Sequence, residues 1–273
     1  MRKLDRLGWA AGLTFKSYGV RFGVRADDAA VLGRLAEFLP PGTSEAPAGI
    51  VERLYSIRTG AGGAERRGLQ RFKLLYADHV RLARTVDIEE LFERFEADLQ
   101  LSVAETARRR VFVHAGVVGW KGRAVVVPGR SFSGKTTLVA ELVRAGAEYY
   151  SDEFAVLDAA GRVHPFAKPL AVRGEDLRQH KVSVVELGGS AATKPLPVGL
   201  VVVSEFREGS RFRPRTLTPG QGSLALLANT VPARRRPLEV LETLAKVVST
   251  AAVLRGSRGE AAEAAARILE RAS

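Results

Sequence analysis

The chain has 273 residues, 46% of them apolar and 26% charged, a balance that belongs to a folded globular protein and excludes a disordered or membrane-spanning one. It has no cysteine, which excludes disulfides and thiolate metal sites. The net charge of +12 invites a nucleic-acid reading. The tightest basic runs, Arg108-Arg109-Arg110 and Arg234-Arg235-Arg236, carry no interleaved aromatics that could stack on bases, and the Arg-over-Lys, Ala-rich bias is what a GC-rich genome produces, so nucleic acid is not an expected partner. Asp5 and Arg6 interrupt the signal-like start Met1-Arg-Lys, and no apolar run or cleavage site follows. The expectation is a cytoplasmic protein with no membrane association.

In chain order, Leu13 to Val24 reads as extended structure, with Gly19 and Gly23 hinting at bulges. Asp27 or Asp28 can cap a short helix carrying Leu32, Leu35 and Phe38, which Pro40-Pro41 stops. A strand through Ile50–Ile57 precedes the glycine-rich stretch from Thr59 to Ala64, and Phe72 to Arg84 reads as a hairpin turning near Ala77-Asp78. Asp87 and Glu90 have capping-box spacing, and Ile88, Leu91, Phe92, Phe95 and Leu99 recur at helical period to about Thr106. This apolar stripe is expected to be core.

From Val111 the texture changes. Two near-continuous apolar runs, Val111–Val118 and Arg123–Pro128, predict buried strands joined by a tight turn at Gly119–Gly122, so a domain boundary is expected near Arg108. An α+β region, residues 1–108, then precedes an α/β domain, residues 109–273. Farther on, Asp158–Gly161 reads as a hairpin turn and Gly199–Val203 as a central strand; helices are predicted at Pro219–Asn229, Pro237–Ser249 and Gly259–Arg271.

The segment Gly129, Arg130, Ser131, Phe132, Ser133, Gly134, Lys135, Thr136 matches G-x-x-x-x-G-K-[ST], follows a predicted strand and opens a predicted helix that continues through Thr137 to Gly146. Glycines let the backbone curl so that successive amides face phosphates, and the helix N-terminus adds partial positive charge. Lys135 would reach the β- and γ-phosphates of ATP, and the Thr136 hydroxyl would ligate Mg²⁺. An acidic partner is needed to go further. Asp152 and Glu153, in Tyr149-Tyr150-Ser151-Asp152-Glu153, could hold Mg²⁺ and deprotonate a hydroxyl. Glu205, after Leu200-Val-Val-Val-Ser204, is the rival, with Arg207 and Arg211 near enough in sequence to pair with it.

The loop, His114-Ala-Gly-Val before it and Ser151-Asp152-Glu153 after it together resemble the catalytic domain of HPr kinase/phosphorylase over about Val111 to Arg173. The whole chain resembles HPr-kinase-related proteins found near peptide-maturation genes. The resemblance implies a P-loop kinase fold of the phosphoenolpyruvate carboxykinase-like type, using ATP and Mg²⁺ to phosphorylate a serine of a protein or peptide. It implies Asp152 as general base, Glu153 in support of Mg²⁺, and His114 ordering the phosphate and acid groups; the other reading of His114 is a hydrogen-bonded core histidine. It also implies Lys168 and Arg173 as phosphate or substrate contacts, with surface charge as the alternative. The family signature has a glutamate two residues before that arginine, where this chain has Ala171. Bifunctional members are oligomeric, so a homo-oligomer is one outcome the resemblance allows. A module that binds nucleotide and signals without phosphorylating is the second reading, and it has no need of a base.

Overall fold

A computed structural model describes residues 2–60, 71–130, 133–173 and 179–272, with backbone alone at 2, 3, 173 and 179. Ser131, Phe132 and residues 61–64 of the glycine-rich stretch, all singled out above, lie outside the described residues. The chain is mixed α/β and divides into two compact units, Met1–Arg108 and Arg109–Ser273.

The first unit opens with α1 (Arg2–Asp5), β1 (Ala11–Ser17), β2 (Val20–Ala26) and α2 (Ala29–Arg34). β3 (Ser44–Glu45), β4 (Arg53–Arg58), β5 (Lys73–Ala77), β6 (Val80–Thr85) and α3 (Ile88–Thr106) follow. Among the described residues the strands form one sheet in the order β3-β1-β2-β4-β5-β6, antiparallel except for β2 beside β4. The extended stretch 13–24 is therefore a hairpin: Tyr18 and Gly19, at φ 47° and 84°, turn the chain in the left-handed geometry that matches strand twist, and no bulge falls at Gly23. The strand expected at 50–57 begins only at Arg53, because Ile50 is almost wholly exposed.

The two helix caps show carboxylates choosing between partners. Asp28 caps α2 through the Ala30 amide, while Asp27 instead accepts from Thr59 and Gly60. Asp87 caps α3 through the Glu89 amide at 2.9 Å. The capping box does not form, since Glu90 accepts a 2.6 Å hydrogen bond from the Thr85 hydroxyl. The stripe Leu91, Phe92, Phe95 and Leu99 is buried as core, with Tyr55 edge-on to Phe95 at 5.0 Å.

The second unit is built on β7 (Val111–Trp120), β8 (Arg123–Pro128), α4 (Lys135–Arg144), β9 (Glu148–Ser151), β10 (Phe154–Leu157) and β11 (Arg162–His164). Then come β12 (Leu170–Arg173), β13 (Gln179–Val182), β14 (Leu196–Phe206), β15 (Arg215–Thr216), α5 (Pro219–Leu227), α6 (Pro237–Thr250), β16 (Ala252–Arg258) and α7 (Ala261–Arg271). The main sheet runs β11-β10-β7-β8-β14-β16-β15, with β9 also on β7, and β12 and β13 form a separate pair. β8, β14 and β16 are parallel to one another, while β7 lies antiparallel to β8. Because β11 pairs with β10 and also with the start of β14, the sheet curls back on itself.

Alternate residues of these strands go to opposite faces. Val113, Val126, Val201 and Val253 pack with Leu226 and Leu244 of α5 and α6; Val125, Val202 and Leu254 pack with Leu138 of α4 and Ile268 of α7. The result is helices on both faces of a curled sheet, with the glycine loop at the carboxyl end of β8. That is where an open α/β sheet places its ligand crevice. β7 approaches α4 closely at Gly116, where a Cβ would lie 2.5 Å from the Val139 Cγ2.

The turn between β10 and β11 is organised by one buried carboxylate. Asp158 accepts from the Ala160 amide at 2.9 Å and the Arg162 amide at 3.0 Å, pairs with the Arg162 guanidinium, and lies 2.9 Å from the His164 Nε2. Burial alone would raise its pKa, but the bonds from His164 and from Arg162 and Ala160 win and hold it at about 2, below the ordinary 3.8. Its contribution to stability is therefore present above pH 3.8 and lost as the pH falls toward 2. Asp158→Asn should cost roughly 2 kcal/mol at neutral pH, and the loss should shrink as wild type is acidified, as urea melts along a pH series would show.

Candidate active site

β8 delivers Gly129 to the carboxyl end of the sheet, and the Gly129 amide donates to the His114 carbonyl at 3.1 Å, tying the loop's start to β7. The loop ends at Gly134, which caps α4 in a left-handed conformation with φ 76°. A side chain there would be strained and would also strike Arg258, because a Cβ would lie 2.5 Å from its Nη2. Gly129 and Ser133 are half-buried; Arg130 and Thr137 are exposed. The Lys135 Nζ donates to the Arg130 carbonyl at 2.6 Å.

The first turn of α4 and the end of β9 bring the motif hydroxyl to the acid. Thr136 Oγ1 donates to Asp152 Oδ2 at 2.9 Å. The other carboxylate oxygen, Oδ1, lies 2.9 Å from the Tyr149 hydroxyl, which is also 2.9 Å from the Lys168 carbonyl. Burial, reinforced by the neighbouring Asp152 charge, raises the Tyr149 pKa far above its ordinary value, so the phenol stays protonated and remains a donor. With one proton it serves Asp152 or the carbonyl, not both at full strength. Ser151 fixes the turn that carries the acids, accepting from the Glu153 and Phe154 amides at 3.1 and 2.9 Å.

Glu153 is exposed beside Asp152, and both carboxylates act on Lys135. Burial lowers the pKa of the Lys135 ammonium, and the two negative charges offset this in part. His114 is close enough to Lys135 that the cation, after burial, helps to depress the imidazole pKa. Its ring lies 4.8 Å from Phe154, and its backbone joins Asn229 to Gly129. His114 is half-buried in β7 with its ring beside Phe154, near enough to the loop lysine to feel its charge.

The remaining candidates are more scattered. Lys168 is half-buried and meets the site through its carbonyl, while Arg173 ends β12, where Ala171 pairs with Lys181. Glu205 is exposed at the end of β14 and has no ion pair with Arg207 or Arg211 among the described residues. It lines an open cavity of about 420 Å³ with Arg213, Arg215 and Arg255 and does not join Thr136. Of the two rival acids, only Asp152 is within reach of the motif hydroxyl.

No family model matches the chain, and no curated protein matches it either. The chemistry must therefore be argued from these residues. Among the described residues no group of three or more His, Asp or Glu side chains is gathered as a metal site. The Thr136–Asp152 oxygen pair nonetheless suits Mg²⁺, a hard cation that takes one or two protein oxygens and completes its shell with phosphates and water. No helix among the described residues is long and apolar enough to cross a membrane.

Sequence reasoning passed over two residues. Tyr149 was inside the acidic motif, and its signal was a buried aromatic hydroxyl three residues before an acid. Arg258 is 3% exposed at the end of β16, and its Nη2 donates to the carbonyls of Ser133 at 3.0 Å and Gly134 at 2.9 Å. Its own sequence, Arg255-Gly-Ser-Arg258 in a span between two predicted helices, carries no signal of this role.

Proposed function

We propose that the protein is a P-loop kinase that transfers the γ-phosphoryl group of ATP to a hydroxyl, a serine of a protein or peptide, with Mg²⁺. The observation that carries this reading is the 2.9 Å contact between the motif hydroxyl of Thr136 and the Asp152 carboxylate, with Lys135 beside both. A negative group near the γ-phosphate opposes binding unless it holds a cation or takes a proton, and a kinase uses it for both, where a nucleotide-holding loop needs only the first. The resemblance of the three ordered motifs to HPr kinase/phosphorylase supports the same reading.

In this reading the loop amides and the α4 N-terminus hold the phosphates, and Lys135 leaves the Arg130 carbonyl for the β- and γ-oxygens. Bound Mg²⁺, held by Thr136 and Asp152 with Glu153 in support, supplies charge neutralisation along the phosphates. The acceptor oxygen attacks the γ-phosphorus, its proton passes to Asp152, the bond to the bridging oxygen breaks, and ADP leaves. Tyr149 holds Oδ1 of the carboxylate, and Oδ2, the oxygen that Thr136 contacts, would face the acceptor once the Thr136 hydroxyl turns to the metal. Such transfer is mainly positioning and charge compensation, so a single lysine, metal and base suffice.

Incubation of wild type and Asp152→Ala with γ-labelled ATP, Mg²⁺, host lysate and peptides encoded nearby tests the reading. Label on a serine with wild type alone is the expected result. Bound ATP with no transfer to any acceptor would reassign the protein as a nucleotide-sensing module.

A further inference from the structure

The candidate site contains a buried cation that no carboxylate among the described residues neutralises. β16 carries Arg258 to the carboxyl end of the sheet beside the start of α4, where it is 3% exposed. Its Nη2 donates to the Ser133 and Gly134 carbonyls at 3.0 and 2.9 Å. Its Nε is buried without a partner. No carboxylate among the described residues pairs with it, and the nearest aromatic face is that of exposed Phe206, 5.8 Å away.

Holding two carbonyls does not require a charge, because any amide donor can do it. A buried, unpaired guanidinium is the costly choice. Its position makes it costlier, since the first turn of a helix already carries partial positive charge and repels a cation. Burial and helix end thus disfavour the same charge, and a polyanion seated on that helix end would relieve both.

The peptide geometry adds a second function. In a trans peptide the carbonyl and the following N–H point in opposite directions. The Gly134 carbonyl also accepts from the Leu138 amide at 3.2 Å, so α4 itself sets the Lys135 amide. Drawing the Ser133 carbonyl toward Arg258 turns the Gly134 amide away from it, and the guanidinium behind the loop aims that donor to the other side. The absence of a Gly134 side chain leaves room for it.

We propose that Arg258 is a positioning residue for polyphosphate: it fixes the direction of the Gly134 amide, and its charge is matched when phosphates occupy the loop. This rests on the triphosphate reading of the site but not on phosphoryl transfer. It gives an unusual signature, because removing the charge weakens ligand binding without weakening the ligand-free fold.

The test is thermal melting of ligand-free protein together with calorimetric binding of ATP and of inorganic pyrophosphate, for wild type, Arg258→Gln and Arg258→Lys. The expected result for Arg258→Gln is a ligand-free melting temperature equal to or above that of wild type. Its affinities for ATP and pyrophosphate should both fall at least tenfold, with Arg258→Lys between it and wild type. Unchanged affinity overturns the proposal, and so does a lowered melting temperature with unchanged affinity, which would mark a purely structural arginine. Should Arg258→Gln not fold, Arg258→Lys decides: it keeps the charge but not the planar guanidinium whose Nη2 reaches both carbonyls, and wild-type affinity in that variant overturns the role in aiming the loop amide. A wild type that binds neither ligand overturns both this proposal and the nucleotide reading, whereas binding without transfer removes only the kinase assignment.

Discussion

Replacing Asp152 with asparagine should leave ATP binding within a few-fold of wild type and lower phosphoryl transfer by roughly 10²- to 10⁴-fold, the range a positioned base contributes. Asparagine keeps the shape and one acceptor oxygen, so one of the contacts from Thr136 and Tyr149 can persist and the turn through Ser151 is untouched. It cannot accept the acceptor's proton. Lys135→Ala should behave differently, losing binding and transfer together, because its ammonium is expected on the phosphates themselves. Calorimetry for binding and product label for transfer separate the two variants. Equal losses of binding and transfer for Asp152→Asn would mean that the carboxylate acts only through the metal and that the base lies elsewhere.

A second large effect is expected at Gly134, where two penalties coincide. With φ 76° any side chain adopts a backbone region costing roughly 1–2 kcal/mol, and a Cβ would lie 2.5 Å from the Arg258 Nη2. The arginine would have to leave the carbonyls it holds. Gly134→Ala should therefore reduce ATP affinity by on the order of tenfold or more, each such factor corresponding to about 1.4 kcal/mol. Gly122 provides the control. It has φ 78° in the turn between β7 and β8 with nothing within 4 Å of its missing Cβ, so Gly122→Ala carries the strain without the collision. Melting temperature should fall in both variants, and ATP affinity only in the first.

The local signals in the sequence correspond to real elements where a segment's own pattern is enough to define it. The apolar runs of β7 and β8, the stripe of α3, and the Asp158–Gly161 turn each carry their evidence within a dozen or so residues. β16 does not. Its residues Arg255, Ser257 and Arg258 break the apolar pattern, and it becomes a strand because β14 lies parallel beside it, an interaction absent from its own sequence. The span read as a gap between two helices is thus part of the central sheet. The same distance hides half of the candidate site. Thr136 and Asp152 are 16 residues apart in neighbouring motifs, whereas Arg258 meets Gly134 across 124 residues. Competition between neighbours hides the rest: Glu90 has capping-box spacing, but the Thr85 hydroxyl reaches it first.

The central claim is that residues 129–136 form a site for the phosphates of ATP. Calorimetric titration of wild type and Lys135→Ala with ATP and Mg²⁺ tests it most directly. The account predicts saturable binding at one site per chain for wild type and loss of that binding in Lys135→Ala, with both proteins melting as folded chains. Absence of saturable binding in wild type, or equal binding by the two proteins, would contradict it.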